Sequence, residues 1–325
     1  MQLTDLQMLN EVQAWVAKGE SFWLCTILGT YGSAPRPVGS LFAWNGKQRL
    51  GSISGGCLED AFIQRLDNQE LDVFPQVISY GKDLVDEHVS IELPCGGSIR
   101  LLVEYYTPES YPYFNNFLAK ANKKQPFIKV LDMCSNTVSF QSDRLTQDEN
   151  TLTPSEDFIF IRYQQVTQLL ILGISQVSEW VAKLGLMAGF KVKVCDMREE
   201  LAQSWPLSGA DTRYNVNIIW RSPDLFIDEN MTQKTAVLAL AHDPRIDDLG
   251  LMAALESDAF YIGAMGSKIT SDNRLERLER IGGFSQKEIN RLKAPIGLPI
   301  GSKTPFEIAV SIIADVIASQ NGKSQ

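Results

Sequence analysis

The second half of the chain alternates short apolar runs with helical patterns, and this alternation constrains the fold more than any other feature. The runs TQLLILG (167–173) and KVKVCD (191–196) are followed by NIIW, TAVLALAH and AFYIG. Segments with helical periodicity, such as residues 176–188, lie between them. Strands that alternate with helices form βαβ units, in which a parallel sheet is covered on both faces. We therefore predict a Rossmann-like, doubly wound parallel-sheet domain over residues 165–325.

The first half of the chain is richer in predicted strands. Residues 5–18 carry apolar side chains at helical spacing, whereas FWLCTILG (22–29) and SIRLLVEYY (98–106) are predicted strands. Asn45-Gly46 separates two further strand-like runs, and this dipeptide favours the tight turn of a β-hairpin. We therefore predict an N-terminal α+β domain over residues 1–164, followed by the Rossmann-like domain, so that the whole chain is of the α/β class.

Charge and composition exclude several classes of protein. Lys and Arg number 30 and Asp and Glu 39, so the formal net charge of −9 argues against nucleic acid or an anionic membrane surface as a partner. No segment approaches about 18 uninterrupted apolar residues, so no membrane span is expected, and the N-terminus lacks the basic region of a signal peptide. The five cysteines are widely spaced with no CxxC pair, which predicts a reducing cytoplasm rather than disulfides or a zinc site.

The stretch SGGC (54–57) places a thiol directly after two glycines. Gly55 and Gly56 allow a sharp turn and close approach of a ligand to the backbone, next to the hydroxyl of Ser54. If a helix begins at Cys57, free N–H groups and the positive end of the helix dipole favour a thiolate there. On this stretch alone, the simpler interpretation is an inert buried cysteine behind a tight turn.

A second stretch repeats the pattern of a cysteine beside a glycine pair. Cys95 is followed by Gly96 and Gly97, and two such turns in one domain can converge on one site. Two thiols suit a soft metal or a sulfur-transfer step. The alternative is a pair of tight turns at strand ends.

Arg36 is the third candidate in this half of the chain. Pro35 and Pro37 stiffen the chain on both sides of it, in a loop that also contains glycine and serine. A fixed guanidinium beside such donors can hold a phosphate or a carboxylate. The alternative, a surface arginine in a rigid turn, stays open.

In the second half, the first strand-to-helix turn reads GISQVS (173–178). A dinucleotide site requires G-x-G-x-x-G there, and only Gly173 is present, although Asp196 stands where the ribose-binding acid belongs. The phosphate-binding chemistry is therefore missing, which argues against NAD(P) as a cofactor.

Two later turns are further candidates for ligand binding. His242 follows an apolar strand, at the carboxyl edge of the sheet where sites of α/β proteins collect. Gly266, Ser267 and Lys268 also follow a strand and precede a helix, where N–H groups with Ser and Lys can hold an anion. The alternative is a glycine-rich turn that only packs closely.

Several blocks together resemble one family. GSAPRPVGS, SISGGCLED, PCGG, CDMRE, AHDPRIDD, YIGAMGSK and APIGLPIGSKTPFEIAVSIIADV resemble, in that order, the XdhC/CoxI family of molybdenum-hydroxylase maturation factors. The resemblance extends over nearly the whole chain. It implies a cytoplasmic accessory protein that binds molybdenum cofactor (molybdopterin), assists its sulfuration with a cysteine desulfurase, and delivers it to a xanthine dehydrogenase-type apo-enzyme. It also implies a homodimer, and a maturation factor rather than an enzyme.

The resemblance assigns roles to the candidate residues. Cys57, together with Cys95, lies near the bound cofactor, as a contact to molybdenum or a holder of labile sulfur, and Arg36 binds the cofactor's phosphate. Family members often carry Gly-x-Gly-His at the start of the second domain, whereas this chain has GISQ at residues 173–176. This departure puts any nucleotide or metal role of that turn in doubt.

Two other functions remain as alternatives. The parallel sheet alone is compatible with an NAD(P)-dependent oxidoreductase, although fold does not imply function. A non-binding scaffold that bridges the cysteine desulfurase and the apo-enzyme also fits, and such a scaffold is indifferent to loss of the Cys57 thiol.

Overall fold

The computed structural model describes residues 3–31, 36–71, 73–81, 97–123, 126–142, 157–163, 166–209 and 214–323. It divides into two compact units, Met1–Gln165 and Val166–Gln325. None of the helices within the described residues combines the length and apolar character needed to cross a bilayer.

The N-terminal unit combines helices with two antiparallel sheets. Its helices are α1 (Leu3–Ala17), α2 (Cys57–Asp67) and α3 (Tyr111–Ala121). Its strands are β1 (Phe22–Tyr31), β2 (Leu41–Trp44), β3 (Arg49–Gly51), β4 (Gln76–Tyr80), β5 (Ser98–Tyr106), β6 (Phe127–Asp132), β7 (Thr137–Ser142) and β8 (Phe158–Tyr163). The larger sheet has the order β3-β2-β1-β5-β4 and the smaller one β7-β6-β8. The predicted α+β architecture is confirmed.

The larger sheet is buried on both faces. One face carries Phe22 and Leu24 of β1 into a core with α1 and α3, and the other carries Cys25 and Ile27 into a core with Phe62 of α2. Because alternate side chains of a strand point to opposite faces, a strand covered on both sides is apolar throughout. This explains the continuous apolar run that β1 shows in the sequence.

A buried ion pair joins the two sheets of the N-terminal unit. Lys129 of β6 is fully buried, and its Nζ lies 2.7 Å from both carboxylate oxygens of Glu104 in β5. Tyr106 also donates its hydroxyl to Glu104 at 3.1 Å. Since each charge is paired and hydrogen-bonded, the pair is tolerated in the core.

The C-terminal unit is built on a parallel six-stranded sheet. Its strands are β9 (Gln168–Leu172), β10 (Lys191–Asp196), β11 (Ile218–Trp220), β12 (Thr235–Ala239), β13 (Tyr261–Ala264) and β14 (Leu292–Lys293). Its helices are α4 (Gln176–Met187), α5 (Pro223–Asn230), α6 (Pro244–Leu255), α7 (Lys268–Arg280), α8 (Gln286–Ile289) and α9 (Pro305–Gln320). The strand order is β11-β10-β9-β12-β13-β14, with parallel pairing throughout.

This order is that of a doubly wound Rossmann sheet. Counted within the unit it reads 3-2-1-4-5-6, and the direction of winding reverses between β9 and β12. The carboxyl ends of these two strands therefore form the switch point at which ligands of such folds bind. The predicted Rossmann-like domain is confirmed.

Candidate functional site

The glycine pair of SGGC forms the turn between β3 and α2. Gly55 has φ 92° and Gly56 has φ 139°, in the left-handed region that side chains rarely adopt. No atom lies within 4 Å of a Cβ added to either residue. The glycines are therefore required for the backbone conformation rather than for space.

Glu59 lies in the first turn of α2. Its carboxylate accepts hydrogen bonds from the backbone of the glycine-containing turn that precedes the helix. Its Oε1 accepts the N–H groups of Ile53 at 2.9 Å, Ser54 at 3.1 Å and Gly55 at 3.2 Å. Its Oε2 accepts the N–H of Gly56 at 3.0 Å. Four consecutive backbone donors thus converge on one side chain.

Two serine hydroxyls complete the shell around Glu59. Ser52 Oγ donates to Oε1 at 2.7 Å, and Ser54 Oγ donates to Oε2. Each hydroxyl also accepts a backbone N–H, from Gly55 at 3.0 Å and Leu58 at 2.9 Å. We refer to residues 52–59, held in this way, as the Glu59 turn.

The Glu59 carboxylate is buried yet ionised. Its residue is only 3% exposed, and burial by itself acts to raise its pKa. The hydrogen bonds from Ser54, Ser52 and the backbone outweigh this effect and lower the pKa to about 2. At neutral pH the turn therefore encloses a full negative charge.

Cys57 is the first residue of α2, as the sequence predicted, and its side chain lies outside the described residues. The N–H groups of residues 53–56, which precede this helix, are all bound to Glu59, and that of Leu58 is bound to Ser54 Oγ. This arrangement arises because a carboxylate three residues after the N-cap can fold back onto the turn. A thiolate at Cys57 stays a prediction.

The other N-terminal candidates lie in loops of the same sheet. Arg36 is half-buried in the loop between β1 and β2. Gly97 is buried directly before β5, whereas Cys95 and Gly96 lie outside the described residues. A side chain on Gly81, which follows β4, would lie 2.7 Å from the Gly97 oxygen, so the chain passes close to itself at this point.

These loops leave the larger sheet at one end. Tyr31 at the end of β1 pairs with Ser98 at the start of β5, and Tyr80 near the end of β4 pairs with Ile99. The end of β3, Gly51, pairs with β2 near its start. We refer to this end of the sheet as the loop end. The topology therefore brings the segments carrying Arg36, SGGC and Gly97 to the same end.

The packing of α2 also connects the Glu59 turn to β4 and β5. Ile53 of the turn and Leu58 of α2 belong to the same core cluster as Tyr80 and Ile99. Farther along α2, the Arg65 guanidinium lies 5.8 Å from the centre of the Tyr80 ring. The helix therefore lies against the sheet face next to Gly81 and Gly97.

The cysteines whose side chains the structure describes are poor nucleophiles. Burial raises the pKa of the Cys25 thiol well above its usual value and that of Cys195 to about 12. Cys134 is exposed, and its hydrogen bond to Asp157 raises its thiol pKa. Since the thiolate is the reactive form, none of these three thiols is activated.

In the C-terminal unit, Asp196 at the end of β10 binds the first strand-to-helix turn. Its Oδ2 accepts the N–H of Ile174 at 2.7 Å. The Arg198 guanidinium binds both carboxylate oxygens, at 3.0 and 2.8 Å, and its backbone N–H adds a third bond at 2.9 Å. Burial acts to raise the pKa of Asp196, but these bonds lower it. The carboxylate predicted at the ribose position is thus bound by its own chain.

The rest of this turn is also satisfied internally. Ser175 caps α4 by accepting the N–H of Ser178 at 3.1 Å, and Ser178 Oγ donates to the Gly173 carbonyl at 2.7 Å. A side chain on Gly173 would overlap Ala241, so this glycine serves a close approach of two backbone segments. We refer to residues 173–178 with Asp196 as the Asp196 turn.

His242 lies at the switch point, three residues after the end of β12. Its side chain is exposed and its φ is 56°, an uncommon conformation for a residue other than glycine. The next residue, Asp243, caps α6 and binds Arg245, whose side-chain hydrogen bond lowers the pKa of Asp243 to about 2. His242 therefore faces solvent beside an ion pair.

A buried network that the sequence did not reveal supports this edge. Arg274 of α7 is 2% exposed and donates to Asp247 at 3.0 Å, to Asp248 at 2.9 Å and to the Met265 carbonyl at 3.0 Å. Asp247 also accepts the N–H of Ala241 at 3.0 Å. The network thus joins the turns that follow β12 and β13. The only sequence signal was an unusually acidic Asp247-Asp248 pair inside an amphipathic helix.

Gly266, Ser267 and Lys268 form the start of α7. Ser267 caps the helix by accepting the N–H of Thr270 at 3.2 Å, and its hydroxyl lies 2.9 Å from that of Thr270. Gly266 is half-buried and Lys268 is exposed. These residues occupy the carboxyl edge of the C-terminal sheet. Among the residues that the structure describes, no group of His, Cys, Asp and Glu side chains is arranged to hold a metal ion.

The fold and these turns define a protein with an antiparallel N-terminal unit and a Rossmann-type unit whose first turn is closed by its own residues. Residues 169–316 match the XdhC Rossmann domain, and residues 15–73 match the XdhC and CoxI family. Together the two matches extend over more than half of the chain. The chain belongs to the XdhC and CoxI family, as its sequence blocks predicted.

Individual relatives align over most of the chain. It is 28% identical over 305 residues to the molybdenum cofactor insertion chaperone PaoD of Escherichia coli K12, covering 92% of this chain and 83% of that protein. It is 24% identical over 318 residues to a probable xanthine dehydrogenase subunit of Bacillus subtilis 168, covering 91% and 92%. A crystal structure described as a xanthine dehydrogenase from Bacillus halodurans superposes with a TM-score of 0.73 at 21% identity, covering 99% and 97%. At that identity the superposition shows the shared fold.

Proposed function

We propose that this protein is a maturation factor that binds molybdenum cofactor and delivers it to a xanthine dehydrogenase-type molybdenum hydroxylase. The observation that carries the proposal is the loop end of the N-terminal sheet, where the segments with Arg36, SGGC and Gly97 leave together. The relatives named for cofactor insertion and for xanthine dehydrogenase support the same role. In this proposal the cofactor is cargo, not a resident prosthetic group.

The residues at the loop end suit such a cargo. The Arg36 guanidinium can bind the cofactor's phosphate, and a thiol at Cys57 is a soft ligand for molybdenum. Cys95 and Gly96 are proposed to complete the site from the segment that ends at Gly97. The Glu59 turn contributes its shape only, because residues 53–56 have no N–H left to bind an anion.

The alternative of an NAD(P)-dependent oxidoreductase is less well supported. In the Asp196 turn, Asp196 is already bound to Ile174 and Arg198, and Ser178 fills the position of the third glycine. A dinucleotide would have to displace these bonds to bind in the usual manner. Titration with NAD(H) tests this alternative, since submillimolar binding would revive it. For the remaining candidates, His242, Gly266, Ser267 and Lys268, contact with the cofactor stays a prediction.

The proposal is tested by the molybdenum and pterin content of protein purified anaerobically from a host that makes the cofactor. Cys57→Ala is prepared in parallel, with Cys134→Ala as control because it removes an exposed thiol in the turn after β6. We expect near-stoichiometric cofactor in the wild type and in Cys134→Ala, and loss in Cys57→Ala. Equal cofactor in all three removes Cys57 from the site. No cofactor in any of them favours the bridging scaffold.

The finer parts of the proposal concern partners. We propose that the protein is a cytoplasmic homodimer. It assists the sulfuration of the cofactor together with a cysteine desulfurase and then passes the cofactor to the apo-enzyme. Sedimentation of the purified chain tests the dimer. Co-elution with the desulfurase and with the apo-enzyme, each with and without loaded cofactor, tests the order of contacts. Delivery requires the cofactor-loaded protein to bind the apo-enzyme and then to give up its cofactor.

A further inference from the structure

Glu59 accepts hydrogen bonds from six groups of a single turn, and none of these donors carries a charge. The donors are Ser52 Oγ, Ser54 Oγ and the N–H groups of residues 53–56. Hydrogen bonds to an ionised acceptor are roughly twice as strong as those between neutral groups. The carboxylate is therefore the centre around which the whole turn is ordered.

Ile53 of this turn packs in the core, and the hydroxyls of Ser52 and Ser54 accept the N–H groups of Gly55 and Leu58, but the two glycines have no side chains that packing could hold. Two adjacent glycines have more backbone freedom than any other pair of residues, and both adopt positive φ here. The space beside their Cα atoms is open, so packing does not select this conformation. The bonds to Glu59 do select it, and the selected turn ends at the backbone of Cys57.

We propose that Glu59 is a positioning residue: it fixes the Ser54-Gly55-Gly56 turn so that Cys57 is presented to the cargo in one orientation. This inference rests on the proposed function. Glu59 does not touch the cargo in this scheme, because its own oxygens are occupied by the turn. Its effect on cofactor binding is transmitted through the conformation of residues 53–57.

The test uses the full chain with Glu59→Gln and Glu59→Ala, and Asp60→Asn as matched control. Asp60 is the next residue of the same helix turn, but its carboxylate is exposed and binds Arg49 at 2.8 Å. The Glu59→Gln side chain keeps one acceptor oxygen and adds an NH₂ group that the surrounding donors cannot satisfy. Asp60→Asn removes the same charge from the helix start without touching the turn.

Two measurements are combined for each variant. Hydrogen exchange of the peptide containing residues 53–56 is expected to become about tenfold faster in Glu59→Gln, since charge-assisted bonds are lost there. Exchange in β1, β5 and α3 is expected to stay as in the wild type. Molybdenum and pterin content is expected to fall about tenfold in Glu59→Gln, further in Glu59→Ala, and to remain at the wild-type level in Asp60→Asn.

The outcomes separate the two proposals. Wild-type protein without cofactor overturns the proposed function, and with it this inference. Loaded wild type together with fully loaded Glu59→Gln overturns the inference alone. Faster exchange throughout the N-terminal unit also overturns it, because Glu59 would then be a general stabiliser and not a residue that positions the turn. Glu59→Gln serves as the deciding variant if Glu59→Ala does not fold.

Discussion

The Glu59 turn and the Asp196 turn are both held by a buried carboxylate, but the groups that surround the carboxylate differ. In each unit, a glycine-containing turn ahead of a helix has backbone N–H groups bound to a buried carboxylate of the same chain. Asp196 comes from a neighbouring strand and is neutralised by Arg198 at 2.8 Å. Glu59 comes from the helix that the turn precedes and is surrounded by hydroxyl and N–H donors.

The groups that surround each carboxylate indicate how each turn is held. In the Asp196 turn, a carboxylate neutralised by Arg198 binds the N–H of Ile174 at the position where a dinucleotide binds in other Rossmann folds. The Glu59 turn surrounds its negative charge with neutral donors, so it orders the backbone that leads into α2 at Cys57. Glycine also differs in meaning, because Gly173 avoids a clash with Ala241 whereas Gly55 and Gly56 have open space beside them.

The largest effect is expected for Gly173→Ala. The added methyl group overlaps Ala241, and the alanine backbone is also forced into a left-handed conformation at φ 91°. Overpacking and backbone strain together should lower the free energy of unfolding of the C-terminal unit by about 4 kcal/mol. Denaturant titration with hydrogen exchange as the probe measures this for each unit. Gly189→Ala, with φ 85° and open space, is the control for strain alone, and equal effects of the two would contradict the close approach.

Acid should distinguish Glu59 from an ordinary surface carboxylate. Its pKa is about 2 in the folded chain against 4.5 for the ordinary side chain, so its stabilising effect is complete above about pH 4.5 and is lost as the pH falls towards 2. The exchange rate of the peptide containing residues 53–56 should therefore become the same in wild type and in Glu59→Gln as the pH falls from about 5 to about 2, because the charge that closes the turn is then lost in the wild type as well. A constant difference over that range would show that the stabilisation does not depend on the charge.

Asp196→Asn should have an intermediate effect on the C-terminal unit. The amide keeps one acceptor for Ile174 but loses the ion pair with Arg198, whose side chain is partly exposed and can be solvated. We expect a loss of about 2 kcal/mol in unfolding free energy and faster exchange of the Ile174 amide. Arg198→Met provides the reciprocal variant. It leaves the buried Asp196 carboxylate without its counter-charge, so we expect a loss at least as large, and a smaller loss would contradict the stabilising role of the ion pair.

Gly55→Ala should have the smallest effect. No atom lies close to the added Cβ, so only the left-handed conformation at φ 92° is penalised, by about 1 kcal/mol. Thermal unfolding of the full chain measures it. A loss as large as that of Gly173→Ala would mean that the space beside Gly55 is filled in solution, which would sharpen the search for what fills it.

The fold was predictable because its signals are local. Alternation of apolar runs and helical segments predicted the parallel sheet, and residues 22–29 and 98–106 were recognised as strands. The pairing of β1 with β5 was not predictable, because neither apolar run carries a signal that indicates which strand lies beside it. The site follows the same rule, because the SGGC turn is visible in the sequence but its carboxylate partner is not.

Glu59 and Arg274 illustrate the physical reason for the misses. Glu59 stands three residues after Gly56, a spacing known from helix capping, but the sequence does not show that four N–H groups will converge on it. Arg274 looks like an ordinary residue of a charged amphipathic helix, whereas the fold buries it against Asp247 and Asp248. Hydrogen-bond networks depend on burial and three-dimensional geometry, which periodicity does not encode.

The arrangement of β1 beside β5 also sets an order of events during synthesis. Residues 32–97 separate the two strands in the chain, so Arg36 and the SGGC stretch emerge from the ribosome well before β5 exists. Strand pairings between distant segments form late because a long loop must close first. A nascent chain therefore carries most of the proposed binding residues before it has a binding surface. On the proposed function, only a completed N-terminal unit can take up cargo, and cargo once bound opposes reopening of that unit by mass action.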